Sequence, residues 1–249
     1  MKNEITRIEK FIKDYLENAK AKGIVIGMSG GKDSFITAKL CANAIGKENV
    51  LGILMPNGAN SDLNIAIENC KEIGIRYHKV DILNIYNEII SSTKEVLDSE
   101  RQNILDISTI NTPPRIRMTL LYAIAGSLNY LVANTSNLSE TMIGYTTKWG
   151  DNVGDFSPIG KYTKTEVCKI GIELGLSPKY VMKTPDDGLS GKSDEEKIGF
   201  SYDELDRYIR FGVKNENFAK IEKMHKNSKH KRNPIKKCDN NFKNYFEGQ

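Results

Sequence analysis

With 249 residues, 39% of them hydrophobic and 27% charged, the chain is long enough to bury a substantial core and fits one large domain or two small ones. Its formal net charge of +4 is too small to demand a nucleic-acid partner, and no apolar run approaches membrane-spanning length. Lys2, Glu4, Arg7, Glu9 and Lys10 stand where an export signal would need an apolar stretch, and Cys41, Cys70, Cys168 and Cys238 lack C-x-x-C pairing. A soluble cytoplasmic enzyme of a reducing compartment is expected, with no nucleic acid and no membrane among its partners.

Taken in order, Ile5, Ile8, Phe11, Ile12, Tyr15 and Leu16 form one stripe of a helix with a charged opposite face. Gly23 to Met28 is too short for a helix and reads as a buried parallel strand, and Phe35 to Ala44 is helical. Val50 to Met55 makes a second strand, Asp62 to Ile73 a helix stopped at Gly74, and Tyr77 to Val80 a third strand. Strand, helix, strand, helix, strand is the signature of an α/β, doubly wound parallel sheet flanked by helices. Such sheets bind ligands at the carboxyl ends of their strands.

The first strand and its helix are joined by S-G-G-K-D-S, Ser29 to Ser34. Adjacent glycines permit positive φ and bare the backbone N–H groups, and the helix that follows adds its positive end, so the turn is an anion cradle. It is not the Walker A loop, because Lys32 is followed by Asp33 rather than by Ser or Thr. A carboxylate aimed at phosphates repels them unless a cation intervenes, so Asp33 points to Mg²⁺ and a polyphosphate.

From Ile82 to Leu105 one or two peripheral helices are expected. Two prolines in N-T-P-P-R-I-R-M, Asn111 to Met118, read as the entry to an apolar helix, Thr119 to Leu128, followed by a strand, Tyr130 to Ala133. Arg115 then stands near a helix N-terminus, where a cation is disfavoured and an anionic partner is implied. Asn134 to Glu140, a strand end running into small hydroxyl residues and then Glu140, suits a nucleotide ribose or phosphate and a second metal ligand, and Lys148, Trp149, Asp151 and Asp155 follow in a Gly-punctuated loop; simpler roles are a cap at Ser136 or Asn137, Trp149 in the core and aspartates in turns. Ser201 with Glu204 reads as a capping box.

The order S-G-G-K-D-S, N-x-x-x-R-x-R-M, T-S-N-L-S-E, Y-T-T-K-W-G-D and S-P-I-G-K-Y-T-K-T-E-V resembles ammonia-dependent NAD⁺ synthetases, members of the PP-loop ATP pyrophosphatases with their adenine nucleotide alpha-hydrolase-like fold. The similarity runs from the N-terminal helix to H-K-R near the end. It implies a ligase that adenylates the nicotinate carboxylate of deamido-NAD⁺ with ATP, releases pyrophosphate, and lets ammonia displace AMP. It also implies a homodimer with the dinucleotide at the subunit interface. Gly27, Met28, Ser29, Gly30, Gly31, Lys32, Asp33, Ser34, Thr135, Lys164 and Asp186 fall at ATP positions, and Asp33 and Glu140 at Mg²⁺ positions. Asp33 and Lys164 are the implied catalytic pair. Arg115, Lys148 and Asp155 would hold deamido-NAD⁺, with His230 and Lys231 closing from the tail and Arg232 adding charge.

Two departures stand out. T-P-D-D-G-L-S-G places Asp186 where the family has a small or hydroxyl residue, and Pro114 replaces a small residue before Arg115. One synthetase domain over 1–249 is expected, with mobile segments at 183–197 and 225–240 that order around nucleotides. Room is lacking for a glutaminase domain, so free ammonia is the expected donor unless a separate subunit supplies it. The rivals are another PP-loop enzyme acting on a tRNA base or a purine, and a non-catalytic adenine-nucleotide sensor.

Overall fold

A computed structural model describes residues 1–59, 62–183 and 193–238. The chain runs α1 (Lys2–Asn18), β1 (Gly23–Gly27), α2 (Lys32–Ile45), β2 (Val50–Leu54), α3 (Leu63–Ile73), β3 (Arg76–Lys79), α4 (Leu83–Ser99), α5 (Asp106–Leu128) and β4 (Tyr130–Val132). Shorter helices follow: α6 (Leu138–Ile143), α7 (Lys164–Glu173), α8 (Pro178–Val181), α9 (Asp194–Ile198), α10 (Tyr202–Phe211), α11 (Phe218–Asn227) and α12 (Lys229–Arg232).

The four strands form one parallel sheet in the order β3-β2-β1-β4. Ile24 pairs with Val50, Val25 with Val132 and Leu51 with Arg76. Alternation along each strand sends side chains to opposite faces. Ile24, Ile26, Val50 and Leu54 enter a core with residues of α1, α2, α3 and α7, while Val25, Leu51, Ile53 and Val132 enter a second core under α4 and α5. Helices thus cover both faces, as the continuous apolar strands require. The chain leaves β1 for β2 and β3 on one side and returns to β4 on the other, which sets the β1–α2 loop at the topological switch.

One element departs from expectation. Pro113 and Pro114 lie inside α5, which begins at Asp106 rather than at the prolines. The first turn is already closed by Ser108 N–H and Thr109 N–H donating to the Leu105 carbonyl. The prolines therefore remove two donors from a helix that packing on α4 and the sheet holds together. Arg115 consequently sits mid-helix, away from any positive helix end.

A third cluster, Ile143, Ile198, Phe200, Tyr202, Leu205 and Ile221, packs α6 against α9, α10 and α11. The C-terminal helices are therefore the bed on which α6 rests.

Candidate active site

The loop after β1 is shaped from within. Gly30 takes φ +87°, and a Cβ there would lie 2.6 Å from the Asp62 carbonyl oxygen, so glycine is required on both counts. Ser29 Oγ accepts from Gly31 N–H at 3.1 Å, and Ser34 Oγ donates to the Gly31 carbonyl at 2.9 Å. Gly31 is the N-cap of α2 and supplies no side-chain cap, which leaves the first-turn N–H groups to an incoming anion. Lys32 does not point to solvent: its Nζ lies 3.7 Å from Cys168 Sγ on α7.

Three distant segments meet beside this loop. Lys164 Nζ donates to Asp33 Oδ2 at 2.6 Å and to Glu140 Oε1 at 2.8 Å, with the lysine side chain only 6% exposed. Burial disfavours the Lys164 ammonium, but the charges of Asp33 and Glu140 overcome it and hold its pKa well above the ordinary lysine value. Burial pushes the Glu140 carboxyl up, Lys164 acts against that, and Asp33 adds to it. Asp33 Oδ1 is buried with no hydrogen-bond partner. That orphaned oxygen is an acceptor with lone pairs free for a cation or a proton.

Local structure explains each placement. Asn137 caps α6 by accepting from Glu140 N–H at 3.0 Å, and Glu140 Oε2 accepts from Asn137 N–H at 3.4 Å. Glu140 therefore spends one oxygen on its helix and turns the other to Lys164. Lys164 opens α7, at the positive end where a cation is electrostatically disfavoured. The carboxylate pair compensates for that position.

The remaining expected residues lie elsewhere. Thr135 follows β4 and is half-buried. Exposed Arg115 donates from Nε to the Lys148 carbonyl at 3.3 Å, and Lys148 Nζ stands 5.3 Å from the centre of the Trp149 ring. Trp149 is 46% exposed and not core. Asp155 Oδ2 accepts from Val132 N–H at 2.7 Å, which extends the β4 edge. His230 is exposed, whereas Lys231 Nζ donates to the carbonyls of Gly144 and Thr146 at 2.8 and 2.6 Å and docks α12 on the C-terminal end of α6. Beneath this contact lies a cavity of about 420 Å³ lined by Ser136, Asn152, Phe156, Lys161, Lys231 and Arg232 among others. Asp186 lies outside the described residues, as does most of the acidic stretch around it. Residues 193–198 form capped α9, and residues 225–232 belong to α11, Ser228 and α12.

The sequence from residue 4 to 235 matches the family described as NAD synthase. The chain belongs to the NAD synthase family. An NH(3)-dependent NAD(+) synthetase of Thermococcus sibiricus is 41% identical over 244 residues, covering 92% of this chain and 93% of the relative. One of Finegoldia magna is 37% identical over 240 residues, covering 96% of each. Among solved structures, an NMN synthetase of Francisella tularensis superimposes with a TM-score of 0.87 at 29% identity, covering 97% of this chain and 98% of that one. The NH3-dependent NAD synthetase of Campylobacter jejuni gives 0.77 at 27% identity, covering 96% and 98%. Members of the NAD synthase family are ligases that form a carbon–nitrogen bond, and the parallel sheet here is their PP-loop fold.

Two residues of this neighbourhood escaped the sequence reading. Ser139 and Asp206 are buried beside Lys164. Asp206 left one trace, a carboxylate on the buried side of α10 next to Leu205.

Proposed function

We propose that this NAD synthase family member amidates deamido-NAD⁺ to NAD⁺ with ammonia and ATP, by way of an adenylated nicotinate carboxylate. The Lys164 ammonium clamped between Asp33 and Glu140 at the mouth of the phosphate loop is the observation that carries this reading. In the first step a nicotinate carboxylate oxygen bonds to the α phosphorus while the bond to the bridging oxygen breaks and pyrophosphate leaves. In the second, ammonia adds to the acyl carbon, AMP departs with the carbon–oxygen bonding pair, and the nitrogen loses its extra proton. Backbone N–H groups of Lys32 to Ser34 at the α2 N-terminus would hold the phosphates, and Lys164 would offset charge on them as it redistributes.

Among the described residues no group of three or more His, Cys, Asp or Glu side chains forms a metal cage. Asp33 and Glu140 would hold a hard cation, and the orphaned Asp33 Oδ1 supports that role. When bound, Mg²⁺ supplies charge neutralisation at the polyphosphate.

The active form is proposed to be a cytoplasmic homodimer joined through α4 and α5. Among the described residues no helix is long and apolar enough to cross a membrane. Buried Cys41 and Cys70 keep free thiols, their acidity suppressed by burial, in keeping with a reducing compartment.

The deciding assay is pyrophosphate release from Mg·ATP with ammonium, comparing deamido-NAD⁺, nicotinate mononucleotide and no acceptor. Release that depends on deamido-NAD⁺ and is matched by NAD⁺ is the expected result. Because the Francisella tularensis neighbour is an NMN synthetase, a stronger response to the mononucleotide would reassign the acceptor within the same chemistry.

A further inference from the structure

Lys164 holds its place at the start of α7 against the helix dipole, and the carboxylates of Asp33 and Glu140 fix only the far end of its side chain. Its backbone is fixed by a separate relay. Lys164 N–H donates to Ser139 Oγ at 2.9 Å, the Ser139 hydroxyl donates to Asp206 Oδ1, and Thr165 N–H donates to Asp206 Oδ2 at 2.8 Å. Ser139 is fully buried and Asp206 is 4% exposed, so solvent replaces none of these bonds.

The relay runs in one direction. Ser139 Oγ already accepts from Lys164, so its own proton must go to an acceptor, and Thr165 needs a second one. A carboxylate provides two acceptors and no donor, whereas an amide would present an NH₂ to one of them. The buried charge is met by these donors and by the positive end of α7. Four residues earlier on the same face of α10, the Tyr202 ring stands 5.2 Å from Lys164 Nζ, so one helix touches both ends of the lysine.

We propose that Asp206 is a positioning residue for the reaction, which through Ser139 and the first turn of α7 sets how far Lys164 reaches between Asp33 and Glu140. Ser139 immediately precedes Glu140, so one carboxylate registers the two helices, α6 and α7, that carry the lysine and its second partner. The proposal rests on the functional reading in which Lys164 serves the reacting phosphates. An error of about 1 Å in such a group costs on the order of 100-fold in rate.

The test is a double-mutant cycle between Asp206→Asn and Lys164→Ala, read as kcat and KM for ATP and deamido-NAD⁺ alongside thermal unfolding. Asp206→Asn is expected to lower kcat by about 10- to 100-fold with KM changed by less than about 3-fold, and to have little further effect once Lys164 is alanine. Ser139→Ala, which cuts the relay but leaves the Thr165 bond, is expected to do the same more weakly and serves if Asp206→Asn does not fold. Wild-type kcat in folded Asp206→Asn, or a loss that multiplies fully with that of Lys164→Ala, overturns the proposal. Full turnover in Lys164→Ala overturns the functional reading of the lysine and the proposal with it, a result distinct from the other two.

Discussion

Asp33 is half satisfied in the folded chain, with Oδ2 on Lys164 and Oδ1 buried without a partner. A buried charge in that state is kept for what it meets in the working complex, since an unpaired oxygen weakens the fold rather than supporting it. Asp33→Asn is therefore expected to lower kcat on the order of 100-fold while the fold stays intact, with Glu140 still meeting the Lys164 ammonium. Turnover near wild type in the folded variant would remove Asp33 from the metal site. The phosphate loop was legible because its chemistry is local: two glycines, a helix start and a misplaced carboxylate lie within six residues. Asp206 was not, because the residues it binds lie 41 and 67 positions away and no local pattern marks a carboxylate that serves another helix.

Helices α7 and α10 are also tied at their outer edges. Glu166 accepts from Arg210 Nε at 2.7 Å and Nη2 at 2.5 Å, and from Thr163 N–H at the start of α7 at 2.8 Å. Burial works to raise the Glu166 pKa, and the Arg210 and Thr163 hydrogen bonds together with the Arg210 charge outweigh it, leaving the carboxyl below its ordinary value. A depressed carboxyl contributes stability that is present above its unfolded pKa of about 4.3 and is lost as pH falls through the lower folded value. Acid titration of thermal stability should thus show a steeper fall below about pH 4.3 in the wild type than in Glu166→Gln. Equal slopes would mean that solvent screening has cancelled the pair, which is partly exposed. At this scale α1, α2, α3 and the first two strands followed from short-range apolar patterns and turn signals. The start of α5 did not, because proline is an excellent first residue of a helix and its tolerance inside one depends on packing that no short window contains. The dipole reasoning applied to Arg115 holds instead for Lys164, whose helix does begin there.

Among the described residues, α4 and the start of α5 expose several large apolar side chains. None of the 17 residues of α4 is buried although the helix is amphipathic, and Val96, Leu105, Ile107 and Ile110 are 60 to 66% exposed. Exposed apolar side chains on two packed helices are a candidate contact surface for a second copy. Ile107 and Ile110, three residues apart, share a side of α5, and Arg115 lies five residues beyond Ile110 on the same helix. If two copies pair through α4 and α5, Arg115 stands at the edge of the seam, where the family resemblance places the dinucleotide. Sedimentation at micromolar concentration should give a dimer mass for the wild type and a monomer mass for the double variant Ile107→Glu, Ile110→Glu, since charges desolvated at an interface core cost several kcal/mol. The monomer should retain Mg·ATP binding, because the phosphate loop, Asp33, Glu140 and Lys164 all belong to one chain. Its turnover with deamido-NAD⁺ should fall with the dimer. A double variant that stays dimeric, or a monomer with full turnover, would place the interface or the dinucleotide on another face.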